Sequence, residues 1–491
     1  MRRPGTSTDV GPGGTLAPAV YGVAVRAPTR VGGRLTGIEG LRAVAAGSIV
    51  IYHVWLYSSP SGPVDAGYLS RFALPHLPVG VTLFFALSGY LLYRPIAASL
   101  LETGQVPDVR NYLRNRALRI LPAYWVILAV VAVVLPAALV RRSSSELILD
   151  RLVDQPESLV NNALLIHNYV PATLDTGIGP AWSLAVEVAF YLSLPALALL
   201  ARYFFRRARN SPSQWLALLA APAALLLLGA AGKAATAWLE SPSDLPGHAI
   251  LARSFLSHAD LFAPGMALAV LHVLVMRAQV RLPRRWALIV GGTLVVDVAL
   301  VVALTDRGVL RDWGVANPYQ RLTALVCVLL VALVVLPPSA PGHRSPLVRI
   351  LDSRPLFLMG LASYSLFLWH EPITRVLAEQ GLTFAGRGGF AANIAVIAVI
   401  SGALAAATYR IVERPALARK VGGATAQRQA THSARGDITS PAPSAAQSHR
   451  TSLAGEHAGN DRRRERRPSI LLGLGRKGGR VRTSGHKSIT D

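Results

Sequence analysis

The chain is punctuated by stretches of about twenty mostly apolar residues, the length an α-helix needs to cross the hydrocarbon core of a bilayer. Ten such stretches are discernible, near residues 38–57, 79–99, 121–140, 182–204, 213–232, 258–276, 285–304, 322–337, 356–376 and 390–410. Inside lipid no water satisfies exposed backbone groups, so each span must close its own hydrogen bonds as a helix. The expected fold is therefore all-α: a polytopic membrane protein of about ten transmembrane helices. Composition agrees, because 52% of the 491 residues are hydrophobic and only 15% are charged, whereas soluble domains carry about 25% charged residues.

The connections set the expected orientation, since cytoplasmic loops carry an excess of Lys and Arg. Arg94, near the end of the second span, is followed by Arg110, Arg114, Arg116 and Arg119 before the third; Arg206, Arg207 and Arg209 lie between the fourth and fifth; and Arg277, Arg281 and Arg284 lead to Arg285 at the start of the seventh. The intervening third-to-fourth loop is acidic, with Glu146, Asp150, Asp154, Glu157 and Asp175. This alternation predicts a multi-pass cell-membrane protein with both termini in the cytoplasm.

Residues 1–34 are rich in Gly, Pro and Arg and lack the apolar core of a cleavable signal peptide, so the first helix is expected to be an uncleaved anchor. Residues 417–491 lose the apolar periodicity and are expected to be disordered. The run Arg462–Arg467 in that tail is either a solvated charge run or a contact for anionic headgroups. Residues 35–416 remain as the membrane domain. The net charge of +24 does not point to nucleic acid, because the arginines fall in short runs and at the ends, not in a patch on a folded domain. The single cysteine, Cys327, lies in an apolar run and leaves no disulfide framework or cysteine-based metal site. No bound cofactor or metal is expected.

Ionisable groups within the spans need a reason, because lipid makes them costly. Glu39, Arg42 and His53 all belong to the first span. Arg42 and His53 are eleven positions apart, which is three helical turns plus roughly 20°, so they share a side about 16 Å apart along the axis. In the fourth span Ser183, Glu187 and Tyr191 recur every four residues on one face, and in the ninth Ser363, His370 and Thr374 do the same at intervals of seven and four. The sixth span opens with His258 and Asp260, and the seventh holds Asp297 between valines. Each group alone is compatible with a structural hydrogen bond. Together they imply an internal polar cavity, which an enzyme and a transporter would both possess.

An ordered series of motifs resembles the acyltransferase-3 family of integral-membrane acyltransferases. It comprises Gly37-Ile38-Glu39-Gly40-Leu41-Arg42-Ala43 leading to His53, then Val79-Gly80-Val81-Thr82-Leu83-Phe84-Phe85-Ala86-Leu87-Ser88-Gly89-Tyr90, and the Arg114-Asn115-Arg116-Ala117-Leu118-Arg119 run before Pro122. Trp182-Ser183-Leu184-Ala185-Val186-Glu187, Tyr364-Ser365-Leu366-Phe367-Leu368-Trp369-His370 and Glu413-Arg414-Pro415 complete it. The chain departs from the family pattern in having Glu39 where Asp is usual and His258 where Arg often precedes the aspartate.

The resemblance implies transfer of an acyl group, commonly acetyl, from cytoplasmic acyl-CoA to a hydroxyl of a carbohydrate, glycolipid or glycosylated metabolite. Histidine titrates near neutrality and suits proton removal from a sugar hydroxyl, so His53 is the expected base. Arg42, Arg116 and Arg119 are expected to hold donor phosphate, with positive-inside anchoring as the alternative for the latter pair. Glu187 and Glu39 are expected to assist catalysis, and Ser183, His370 and Tyr191 to complete the polar cavity; Glu187 and His370 either orient the base or acceptor or pair within the bundle. The lipid bilayer is the surrounding partner. The alternative class is a transporter or flippase for a polar or lipid-linked substrate, although no convincing internal repeat is visible.

Overall fold

A computed structural model describes residues 35–59, 62–143, 146–239, 245–307, 318–338 and 345–420. The expected disordered flanks, 1–34 and all of 417–491 beyond Lys420, lie outside the described residues. Among the described residues the chain is helical apart from one two-stranded hairpin. The principal helices are α1 (Ile38–Tyr57), α2 (Val79–Thr103), α3 (Val109–Ala129), α4 (Ala181–Arg207), α5 (Ala220–Trp238), α6 (Leu245–Arg253), α7 (Ala263–Met276), α8 (Trp286–Asp306), α9 (Tyr319–Val335), α10 (Arg354–Leu361), α11 (Ser363–Glu379) and α12 (Gly386–Thr408).

Eight helical segments among the described residues are long and apolar enough to cross a membrane. Two expected spans take other forms. The stretch 322–337 is the shorter apolar helix α9, and 356–376 is divided into α10, of 8 residues, and α11, of 17. All ten expected spans thus have helical counterparts in a multi-pass membrane protein. The third is displaced from 121–140: its helix already starts at Val109, where the Asp108 carboxylate caps it by accepting from the Asn111 amide at 2.6 Å. A π-helical turn, Val130–Val134, ends it, and residues 138–141 enter a strand.

Helices in lipid associate by close packing, and small residues allow their backbones to meet. The α2–α7 contact depends on Gly89 and Gly265, where an added Cβ would collide with the carbonyls of Phe262 and Ala86. Around α1 pack α2, α10, α11 and α12, and a Cβ at Gly360 would strike the Glu39 carbonyl. By contrast α8 leaves Leu288, Ile289, Val295 and Val296 facing outward, as a lipid-facing helix would.

The bundle has two chemically different ends. At one, called here the arginine end, α1 and α3 present Arg42, Arg116 and Arg119. At the other, the chain between α3 and α4 folds into a cap containing β1 (Ala138–Arg141) and β2 (Leu147–Asp150), paired antiparallel with Ala138 opposite Asp150. Tyr124 and Trp125 of α3 donate to the carbonyls of Asn162 and Ala163 at 2.8 and 2.9 Å and tie the cap down.

Candidate active site

His53 is positioned by its neighbours on α1. Val50 and Val54 are buried in a cluster with Leu366 and Ile397, which turns the intervening histidine into a cavity of about 420 Å³ under the cap. Its ring lies parallel to that of His370, with planes 8° apart and centroids 4.9 Å apart. The Nδ1 of His53 is 2.7 Å from the Nε2 of His370, whose own Nδ1 is 3.2 Å from the Leu366 carbonyl. A carbonyl only accepts, so this pattern assigns the His370 proton to Nδ1 and the bare lone pair to its Nε2. His53 therefore donates from Nδ1 and keeps Nε2 unprotonated.

The rest of that cavity is polar on one wall. Glu371 accepts from Arg375 at 2.7 Å through Oε1, and its buried Oε2 has no hydrogen-bond partner. That carboxylate abuts Gly179, where any Cβ would strike it. Arg375 lies 3.6 Å over the Tyr57 ring. Arg253 closes the cap side, 3.1 Å from Asp175 and 4.8 Å over the Trp182 ring. In the cap itself, burial and the nearby Arg253 lower His167 to about 4, leaving it neutral near pH 7.

A second cavity, about 90 Å³, occupies the arginine end and is lined by Arg42, Arg116, Arg119, Ser183, Glu187 and Tyr191, among others. Arg42 donates from Nε to Ser363 Oγ at 3.2 Å and lies 3.7 Å from Glu39. Arg119 is 3.1 Å from Glu413, which also accepts from Ser365. Arg116 lies 5.9 Å over the Tyr191 ring, and its buried Nε has no hydrogen-bond partner. Glu187 accepts from Ser88 and Tyr191, each at 2.5 Å. Beyond the last span, burial together with Arg116, Arg119 and Arg42 lowers Lys420 to about 7. Cationic groups crowd this end, and guanidinium forks bind phosphate bidentately.

Val81 and Phe367 line both cavities and form the partition between them. Phe84 meets Phe367 edge to face at 5.9 Å from the arginine side. The expected site residues divide accordingly. Ser183, Glu187 and Tyr191 share a face, and that face belongs to the arginine chamber and not to His53. Glu39 holds Arg42. His370 is fully buried behind His53.

Arg253, Arg375 and Lys420 escaped sequence reasoning, whereas Trp182 and Glu413 stood in the family-like motifs and Glu371 among the polar groups beside His370. The signal for Arg375 was its spacing of four from Glu371 on the helix that carries His370. The cation that His258 does not supply to Asp260 comes from α5 instead, as Lys233, 2.6 Å from its Oδ1.

The family model described as an acyltransferase domain matches residues 35–410. O-acetyltransferase OatA of Staphylococcus aureus (strain NCTC 8325) is 25% identical over 392 residues, covering 78% of this chain and 57% of the relative. YrhL of Bacillus subtilis (strain 168), provisionally named a peptidoglycan O-acetyltransferase, is 25% identical over 393 residues, covering 78% and 54%. This chain thus spans little more than half the length of these curated relatives. No solved structure matches it. With the whole bundle from Leu35 to Arg410 covered by that one domain, the chain belongs to the acyltransferase-3 family.

Proposed function

We propose that the protein is a membrane O-acyltransferase that moves an acyl group, acetyl by analogy with the names of its relatives, from acyl-CoA to a hydroxyl of a carbohydrate, glycolipid or glycosylated metabolite. The observation that carries this reading is the His53–His370–Leu366 chain, which leaves a basic imidazole nitrogen bare on the wall of a polar cavity. Coenzyme A bears its phosphates at one end of a long arm and its thioester at the other. Its phosphates are suited to Arg42, Arg116 and Arg119, and its arm to the path toward Val81 and Phe367. The arginine end then faces the cytoplasm, where the donor is made.

In the transfer, the acceptor hydroxyl rests against His53 Nε2. As its oxygen attacks the thioester carbonyl, its proton passes to Nε2, and the resulting imidazolium keeps its Nδ1 bond to His370. Collapse of the tetrahedral intermediate breaks the carbon–sulfur bond, and the Nε2 proton goes to the departing thiolate. His370, Glu39 and Glu187 act as positioning residues: the first fixes the tautomer, the second holds Arg42, and the third holds Tyr191 and Ser88.

The reading is tested with the full chain in lipid nanodiscs, isotopically labelled acetyl-CoA and a panel of glycan acceptors. Label should appear as an ester on an acceptor, and His53→Ala should abolish it. Passage of unmodified substrate across proteoliposomes with the thioester intact would favour a transporter instead.

A further inference from the structure

Between α3 and α4 part of the cap has its polarity inside out. From Ser158 to Leu174 the sequence holds no Asp, Glu, Lys or Arg. Seven residues of this stretch are buried, and five of them are polar: Ser158, Asn162, His167, Asn168 and Thr173. Every exposed residue in it is apolar or aromatic: Val160, Leu164, Ile166, Tyr169, Pro171 and Ala172. Val160 is 53% exposed and Leu164 61%. A loop bathed in water has the opposite arrangement, with polar groups outside and branched apolar groups within.

The inward polar groups hold the stretch together. In the cap helix Pro156–Ala163 the Asn162 side chain donates to the Ser158 carbonyl and to Thr176 Oγ1, each at 2.9 Å. Asn168 donates to the carbonyls of Trp182 and Arg253 at 2.8 and 3.0 Å. The backbone amides of Leu164, Leu165 and Ile166 donate to the carbonyls of Val160, Asn162 and Asn161. Irregular backbone is tolerated at membrane depth where protein meets its polar groups in this way.

Depth is set by α3. Tyr124 and Trp125 bond the carbonyls of Asn162 and Ala163, so the end of the cap helix lies beside Trp125 and not past the end of the span. Val134, where the π-helical turn closes, is nine residues further on, about 13 Å at 1.5 Å per residue. Along that length Trp125, Val126, Val133 and Val134 are exposed, an apolar stripe of a membrane-length helix. The outer face of residues 160–172 continues this stripe.

We propose that residues 158–174 are a re-entrant segment. After α3 the chain makes its hairpin in water, where Glu146, Asp150, Arg151, Asp154 and Glu157 are exposed, then dips back and sets Val160, Leu164, Ile166 and Tyr169 against the acyl chains of the leaflet on the cap side. The segment leads directly into Asp175, Gly179 and Pro180, on the wall of the His53 cavity, so the roof of that cavity is anchored in lipid. The partner is the bilayer itself, whichever reaction the chain performs.

The test uses the full chain in nanodiscs containing a phosphatidylcholine with a photoactivatable diazirine in its acyl chain. Cross-links mapped by peptide mass spectrometry should fall on residues 160–172 as they do on α8, and not on residues 146–157. Labelling of α8 without labelling of 160–172 would overturn the proposal. A second arm carries a nitroxide at Val160→Cys, Leu164→Cys or Glu157→Cys, one at a time, in a Cys327→Ala background. Oxygen, which concentrates in lipid, should relax the first two labels more than a water-soluble nickel chelate does, with the order reversed for Glu157→Cys. Relaxation dominated by nickel at all three would put the whole cap in water. Shielding of Val160→Cys and Leu164→Cys from both agents, with spin–spin broadening, would mean that a second copy of the chain covers this face. Either result overturns the re-entrant assignment.

Discussion

His53 and His370, 317 positions apart in sequence, are joined by a 2.7 Å bond between Nδ1 and Nε2 and lie with their rings nearly parallel. The partner of His370 on its other side is a backbone carbonyl, which fixes both tautomers by elimination. The two histidines therefore have different jobs, and variants should separate them. His53→Ala should insert and fold but lose about 10² to 10⁴ in turnover, the usual worth of a general base. His53→Gln, which bonds but takes no proton at neutral pH, should not rescue it. His370→Ala leaves the base in place without its tautomer lock, so kcat should fall less and acceptor KM should hold. Turnover per folded molecule at saturating substrates is the measurement; near-normal rates in His53→Gln would make the pair structural.

Arg42 is held from two sides, by Ser363 and by Glu39, so its fork is aimed before any donor arrives. Arg42→Lys keeps the charge and loses the planar pair of donors. Donor KM should rise about tenfold, equivalent to roughly 1.4 kcal/mol, with acceptor KM unchanged. Steady-state kinetics in both substrates decide it, and an unaltered donor KM would reduce Arg42 to an anchor.

These two sites show what was legible in the sequence and what was not. Apolar length alone gave each expected span a helical counterpart, though not always its bounds, because the bilayer fixes that length whatever the function. The shared face of Ser183, Glu187 and Tyr191 was equally readable, since it follows from helical geometry within one segment. Which chamber that face enters was not readable, because it depends on how α4 rotates against α2 and α3. The His53–His370 bond and the Lys233–Asp260 pair were hidden for the same reason: each joins helices whose relative register no local pattern records. The third helix was misplaced because its first turns are amphipathic and arginine-rich, so the apolar run begins well inside it.

Phe367 stands where the two cavities meet and touches Phe84 and His370. A ring at that junction narrows the passage through which the thioester meets the acceptor at His53 and limits the water that reaches it from the cap side. Phe367→Ala should open the path, raising thioester hydrolysis in the absence of acceptor and lowering the fraction of acyl groups that reach the acceptor. Free thiol release and labelled ester, measured together, give that ratio. A variant with unchanged partition between hydrolysis and transfer would show that the ring is packing alone.

Lys420 follows the last span, and burial among Arg116, Arg119 and Arg42 lowers it to about 7 from the ordinary 10.5. The fold disfavours its charged form, so without donor its contribution to stability is least below pH 7 and improves as pH rises from about 7 toward 10.5. A phosphate bound beside it reverses this preference, raises its pKa and draws a proton onto the complex. Donor affinity should accordingly be greatest below about pH 7 and weaken above it, by up to about tenfold per pH unit, until the pKa of the complex is reached. Isothermal titration of coenzyme A in two buffers of different ionisation heat should detect the proton uptake near pH 7.5. Lys420→Ala should abolish that uptake and flatten the pH dependence while leaving the His53 chemistry intact. Equal uptake in wild type and variant would place the titrating group elsewhere in the arginine end.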